Sequence, residues 1–110
     1  MLTPGDTAFR ILDAERTGIG YTETPVEYRW PVHTAHLPPG SLLFACTDGL
    51  FDQIGGEREI SFGKRRVQQL LLEHRDASAA GLAGMLAEAL ARWQGGQARR
   101  DDVTFLCCRP

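Results

Sequence analysis

Long apolar runs are missing from this sequence. Nothing in it approaches the about 18 consecutive apolar residues of a membrane-crossing helix, and no charged-then-apolar leader opens it, so neither a membrane segment nor a signal peptide is expected. A basic excess is missing as well. With 12 Lys and Arg against 14 Asp and Glu, a net charge of -2 and a pI near 5.9, the chain lacks the field that holds a polyanion, and nucleic acid is not an expected partner. Cysteine is scarce: Cys46, Cys107 and Cys108 are odd in number, lie in apolar runs and lack the CxxC spacing of a zinc site. They suit a reducing compartment, where cysteine acts as a small buried hydrophobe, and a cytoplasmic location is expected. Repeats, linkers and low-complexity tracts are absent too.

What is present is enough for a core. At 110 residues the chain is one domain or part of one, since a single core organises about 100 to 200 residues. Apolar content of 43% and charged content of 24% are ordinary for a globular protein, which sets disorder aside. Ala8 to Leu12 is short, apolar and bounded by polar residues, as a strand would be. The glycines and proline of ERTGIGYTETP predict an extended loop. Val26 to Trp30 alternates, with Val26, Tyr28 and Trp30 on one face, and predicts a half-buried strand. After the turn residues of LPPGS, Leu42 to Thr47 is apolar on both faces and predicts a central strand. A helix is expected from near Lys64, with Val67, Leu70, Leu71 and His74 on one stripe. Asp76 or Ser78 would cap a second, running to about Trp93, with Leu82, Met85, Leu86, Ala89, Leu90 and Trp93 at helical spacing. GGQARRDD breaks that pattern, and Val103 to Cys108 predicts a last strand. Strands, two helices and a strand make an α+β layout.

Two aspartates stand where chemistry is expected. Asp48 follows one apolar strand directly and Asp101 precedes another, so antiparallel pairing of the two would bring both carboxylates to one end of a sheet. Hard divalent cations such as magnesium and manganese take oxygen ligands, and rigid strand ends present them at little entropic cost. Gly49 leaves room for the backbone beside an ion or phosphate. Singly, each site reads more simply as a turn, because Asp-Gly is a common turn dipeptide and RRDD fits a solvated loop. Their shared place at strand ends favours a ligand site.

TDGLFD, a glycine-rich loop, two helices and RRDDVTFL, in that order, resemble the C-terminal portion of metal-dependent phosphatases of the PPM (type 2C) superfamily, in the bacterial SpoIIE-like branch. IGGEREISFGKRR and ERTGIGY strengthen the resemblance, which spans nearly the whole chain. It implies an antiparallel β-sandwich fragment with a packed helix pair, forming one partial domain over residues 1–110. It also implies that Asp48, in an (S/T)DG motif, and Asp101, in a D(D/N)xT motif, are metal ligands. Asp102 and Thr104 would support the ligand loop, and Asp52 matches a frequent acidic position. The activity implied is hydrolysis of phosphoserine or phosphothreonine by a water activated on two Mn2+ or Mg2+ ions. A phosphorylated STAS-domain-like protein is the implied substrate. No side-chain nucleophile is needed, in keeping with a sequence that shows no Ser, Cys or His triad.

The family's first metal-binding segment, an aspartate with GHG-like residues, has no match here. The chain is therefore expected to be a truncation or a short product that another segment completes, and to be inactive alone. A noncatalytic binding or regulatory module derived from a phosphatase is the alternative. Uncovered strand edges predict a homodimer through Val26, Tyr28, Trp30 and the run from Leu42 to Ala45. His33 and His36 have HxxH spacing but sit beside a turn, where a solvated pair is expected. The plainer reading of Lys64, Arg65 and Arg66 is the wet face of a helix. Glu57 and Glu59 lie in either a flap beside the site or a plain surface loop. Cys107 and Cys108 are expected to pack on alternate faces of the last strand.

Overall fold

The apolar run after Ser41 becomes a strand because a second apolar run is available to pair with it. In the computed structural model, which describes residues 1–110, β1 (Leu43–Cys46) runs antiparallel to β4 (Phe105–Cys108). The register sets Phe44 opposite Cys107 and Cys46 opposite Phe105. These four share the face that packs on the core, with the two phenylalanine rings stacked at 6.3 Å. Ala45 and Leu106, the alternate pair, face outward and are exposed, as the period-2 geometry of a strand requires.

Between the two strands the chain builds a one-turn helix α1 (Gly49–Asp52), a hairpin of β2 (Ile54–Gly55) and β3 (Ile60–Ser61), and helices α2 (Gly63–Glu73) and α3 (Ala79–Gln94). The serine of the predicted cap starts α3: Ser78 Oγ accepts from the Gly81 N–H at 3.1 Å. Leu82, Leu86 and Leu90 form the buried stripe of α3, and Val67 and Leu71 that of α2. Together with Leu50, Phe62, Leu2 and Leu42 they make one core. No helix is long and apolar enough to cross a membrane.

The N-terminal residues are tied to this core by few bonds. Leu2 bridges Leu42 through both backbone hydrogen bonds, and the Arg75 guanidinium donates to the carbonyls of Asp6, at 2.7 Å, and Thr3, at 3.2 Å. Arg109 closes the same corner, donating to the carbonyls of Gly40 and Arg75.

Several expectations are corrected. Ala8 to Leu12 is not a strand. Only Arg10 bonds back, to Met1, and Ile11 and Leu12 are exposed, because no neighbouring chain satisfies an extended segment there. Val26 to Trp30 is not a strand either. Val26 is 98% exposed, whereas Tyr28 and Trp30 pack edge to face at 5.0 Å, and the indole N–H donates to the Thr17 carbonyl. The alternation thus reflects a local aromatic pair rather than a ladder. The strand at Leu43 is not central: β4 is its one ladder partner, and its outer face is open. Leu42, expected at a dimer interface, is buried within the chain. His74 caps α2 from an exposed position instead of joining the stripe. Cys108 is exposed, since its outward face has nothing packed on it.

Candidate metal and phosphate site

The β1–β4 ladder continues past Cys46 and brings the two aspartate segments together. Thr47 donates its N–H to the Thr104 carbonyl at 2.9 Å, and its hydroxyl accepts from the Thr104 N–H at 3.1 Å. The same hydroxyl donates to the Asp102 carbonyl at 3.1 Å. One side chain thereby stitches the start of the TDG turn to the end of the RRDD loop. Gly49 completes the join. A methyl group at its α-carbon would overlap the Asp102 carbonyl oxygen, and would lie 3.1 Å from the carbonyl carbon and 3.3 Å from Asp101 Cβ. The residue must be glycine for space, not for a left-handed backbone.

Each predicted residue can now be located. Asp48 stands at the N-terminus of α1, where its carbonyl accepts from the Phe51 and Asp52 N–H groups while its carboxylate makes no capping bond. Asp101 accepts from the Asp102 N–H through Oδ1 at 2.7 Å. Both are exposed, and neither pairs with a Lys, Arg or His; the ion pair present is Arg92 with Glu88, elsewhere on α3. Asp102 contributes its carbonyl and Thr104 its backbone N–H and C=O. Asp52 closes α1 from an exposed position.

The donor chemistry fits a hard divalent cation. Unpaired carboxylates at the ends of paired strands are the ligands such an ion takes. Asp48 and Asp101 are two such positions, and no group of three or more His, Cys, Asp or Glu forms around them. His33 and His36 are exposed loop residues and build no such group either.

Gln53 was not singled out from the sequence, yet it is fully buried and organises the loop that leads to Asp101. Its amide donates to the carbonyls of Ile54 and Ala98, both at 3.0 Å, and its Oε1 accepts from the Arg100 N–H at 3.3 Å. Nothing in the spacing marks it, since a glutamine after a short helix reads as surface. Gln53→Leu keeps the bulk and removes these partners, leaving backbone groups of the loop unpaired. The expected cost is about 2 kcal/mol in chemical denaturation, with faster amide exchange at Arg100. Unchanged exchange there would show that the loop holds itself.

The glycine-rich stretch is a hairpin, with Glu57 and Glu59 at its turn. Trp93 clamps it: its carbonyl accepts from the Gly56 N–H at 2.8 Å and its indole donates to the Ile60 carbonyl at 3.2 Å. Lys64, Arg65 and Arg66 are exposed, as a wet helix face would be, and Arg66 in addition lies 3.9 Å from the centre of the Trp93 ring and donates to the Ser61 and Phe62 carbonyls. Lys64 rests 5.6 Å over the Phe51 ring.

Comparison with known proteins gives the family and the fold. The sequence model of the family described as Stage II sporulation protein E (SpoIIE) matches residues 1–110. The chain belongs to the SpoIIE family. Among solved structures, the SiaA-PP2C domain of Pseudomonas aeruginosa matches with a TM-score of 0.64 and 37% identity, over 68% of this chain and 31% of that one. This SpoIIE-family chain thus has the α+β fold of part of a PPM-type phosphatase domain and spans about a third of the length of that relative. No curated protein matches it.

Of the cysteines of this SpoIIE-family chain, Cys46 lies opposite Phe105 next to the site, while Cys107 and Cys108 lie opposite Phe44 and Leu43 toward the other end of the ladder. Burial pushes the Cys46 thiol up, Lys64 opposes that shift and Asp48 adds to it; burial also raises Cys107. A raised thiol pKa means the folded state keeps its proton longer than the unfolded chain. The associated stability is complete below the ordinary thiol value of about 8.5 and declines as pH rises beyond it. Thiol labelling at pH 8 is expected to modify exposed Cys108 quickly and the other two slowly. Equal rates at all three would refute the packing of the inner sheet face.

Proposed function

We propose that this chain supplies the C-terminal part of the catalytic domain of a metal-dependent protein serine/threonine phosphatase acting on a bacterial signalling protein. The observation that carries the reading is the stitching of Thr47–Gly49 to Asp101–Thr104, which sets two unpaired carboxylates at one end of a sheet. Family membership supports it. In this reading Asp48 and Asp101 are ligands for Mn2+ or Mg2+. When bound, the ions supply an acidified water and neutralise charge on the phosphoryl oxygens.

The chain's own residues do the positioning. Thr47 fixes the distance between the two backbone segments, Gly49 permits their approach, and Gln53 braces the loop before Asp101. A phosphorylated STAS-domain-like protein is the proposed substrate. Because two carboxylates are fewer than a two-ion centre requires, the isolated 110 residues are expected to bind Mn2+ weakly and to turn over little phosphoester. Electron paramagnetic resonance of free Mn2+ would measure the binding. Asp48→Asn and Asp101→Asn should each weaken it at least about tenfold, the loss of a charged ligand. Undiminished binding in the double variant would refute the assignment, and full turnover by the isolated chain would refute its incompleteness.

A further inference from the structure

A cavity of about 370 Å³ opens beside the Asp101 end of the site. Asp101, Asp102 and Arg99 line it, and Leu90, Val103 and Phe105 supply apolar wall. Its size lies at the small end of ligand pockets, which run from about 300 to 1,000 Å³. The Arg99 guanidinium forms no ion pair, although two carboxylates share its cavity. Arg99 is exposed, and its unpaired planar guanidinium presents N–H donors in the fork geometry that suits the oxygens of a phosphoryl group.

We infer that Arg99 is a phosphate-positioning residue, binding the phosphoryl group of the substrate, or the inorganic phosphate product, in this cavity. The inference rests on the proposed metal site and gives it an order of events. Without a cation the cavity carries one positive group against two carboxylates and repels a phosphate. A divalent ion on Asp101 reverses that balance, so phosphate affinity should rise with Mg2+. Arg99 then offers two parallel N–H donors that fix which phosphoryl oxygens face the metal side.

Arg100 is the natural comparison. It carries the same charge one residue away, its side chain does not line the cavity, and its backbone N–H is committed to Gln53. The experiment is a 31P line-width titration of inorganic phosphate against the 110-residue chain, with Mg2+ and with EDTA. In Mg2+, Arg99→Ala is expected to weaken binding about tenfold, Arg99→Lys to recover part of the loss, and Arg100→Ala to change it less than about twofold. Equal losses in Arg99→Ala and Arg100→Ala would overturn the inference, leaving only general charge. So would absence of phosphate binding by the wild-type chain in Mg2+. Mg2+ affinity, measured separately by calorimetry, separates the two readings. Intact Mg2+ binding with an unaffected Arg99→Ala variant sinks the arginine alone. Arg99-dependent phosphate binding that is as strong in EDTA keeps the arginine and sinks the metal ligands.

Discussion

Gly49→Ala is expected to destabilise the chain by about 2 to 3 kcal/mol, the upper range for overpacking a tight contact. The added methyl meets backbone, the Asp102 carbonyl and the Asp101 Cβ, and neither can rotate away as a side chain could. Either α1 or the 101–104 segment must move, and movement of either pulls Thr47 off Thr104. The variant should therefore also lose Mn2+ affinity, by more than its lost stability at room temperature would account for. Gly84→Ala is the control of opposite sign. Gly84 is exposed on α3 with nothing within 4 Å of an added methyl, and removing a helical glycine there should stabilise by about 0.5 to 1 kcal/mol. Urea denaturation reads both. A Gly49→Ala midpoint equal to that of wild type would mean that the two segments have slack the geometry does not show.

The parts of the fold legible in the sequence are those in which the local pattern and the tertiary partner agree. Ser78 could be read as a cap, and Leu82, Leu86 and Leu90 as a buried stripe, because a helix generates its own hydrogen bonds and announces its buried face by spacing alone. The pairing of Leu43–Cys46 with Phe105–Cys108 was legible for a different reason: two apolar runs of equal length need each other, and antiparallel pairing is what sets Asp48 and Asp101 at one end. Ala8 to Leu12 and Val26 to Trp30 misled because a strand is a property of two segments. Alternation at Tyr28 and Trp30 records a half-buried aromatic pair, and a loop that folds that pair onto Thr17 satisfies it as well as a ladder does.

At the site, residue types were legible and their supports were not. A carboxylate at a strand end stands out in a sequence, but Thr47 and Gln53 act through distant partners, and no spacing rule encodes a contact between Gln53 and Ala98. Arg66 shows the converse. On a helical wheel it belongs to the wet face, and it is exposed there, yet its guanidinium lies over the Trp93 ring and donates to the Ser61 and Phe62 carbonyls, partners that only the folded hairpin brings within reach.

Joining the chain to the segment that precedes this part of a SpoIIE-family domain is expected to raise phosphatase activity far above that of the 110 residues alone. In that joined domain, Asp48→Asn and Asp101→Asn should each reduce kcat/KM at least about a thousandfold, or about 4 kcal/mol, because a metal ligand's charge is exchanged for a neutral amide of the same shape. Shape is the reason for choosing asparagine. Asp101 also accepts a hydrogen bond from the Asp102 N–H, and an amide oxygen still accepts it, so the loop stays folded while the charge goes. Thermal melting without metal should accordingly match wild type. Asp52→Asn separates this from a general loss of negative charge: Asp52 is exposed at the far end of α1, and its variant should retain activity to within about tenfold. The assay is dephosphorylation of a serine-phosphorylated STAS-domain protein with Mn2+, run beside a small aryl phosphate. Loss on both substrates places the defect in the chemistry, whereas loss on the protein alone would move these aspartates from metal binding to docking and favour a binding module over a catalyst.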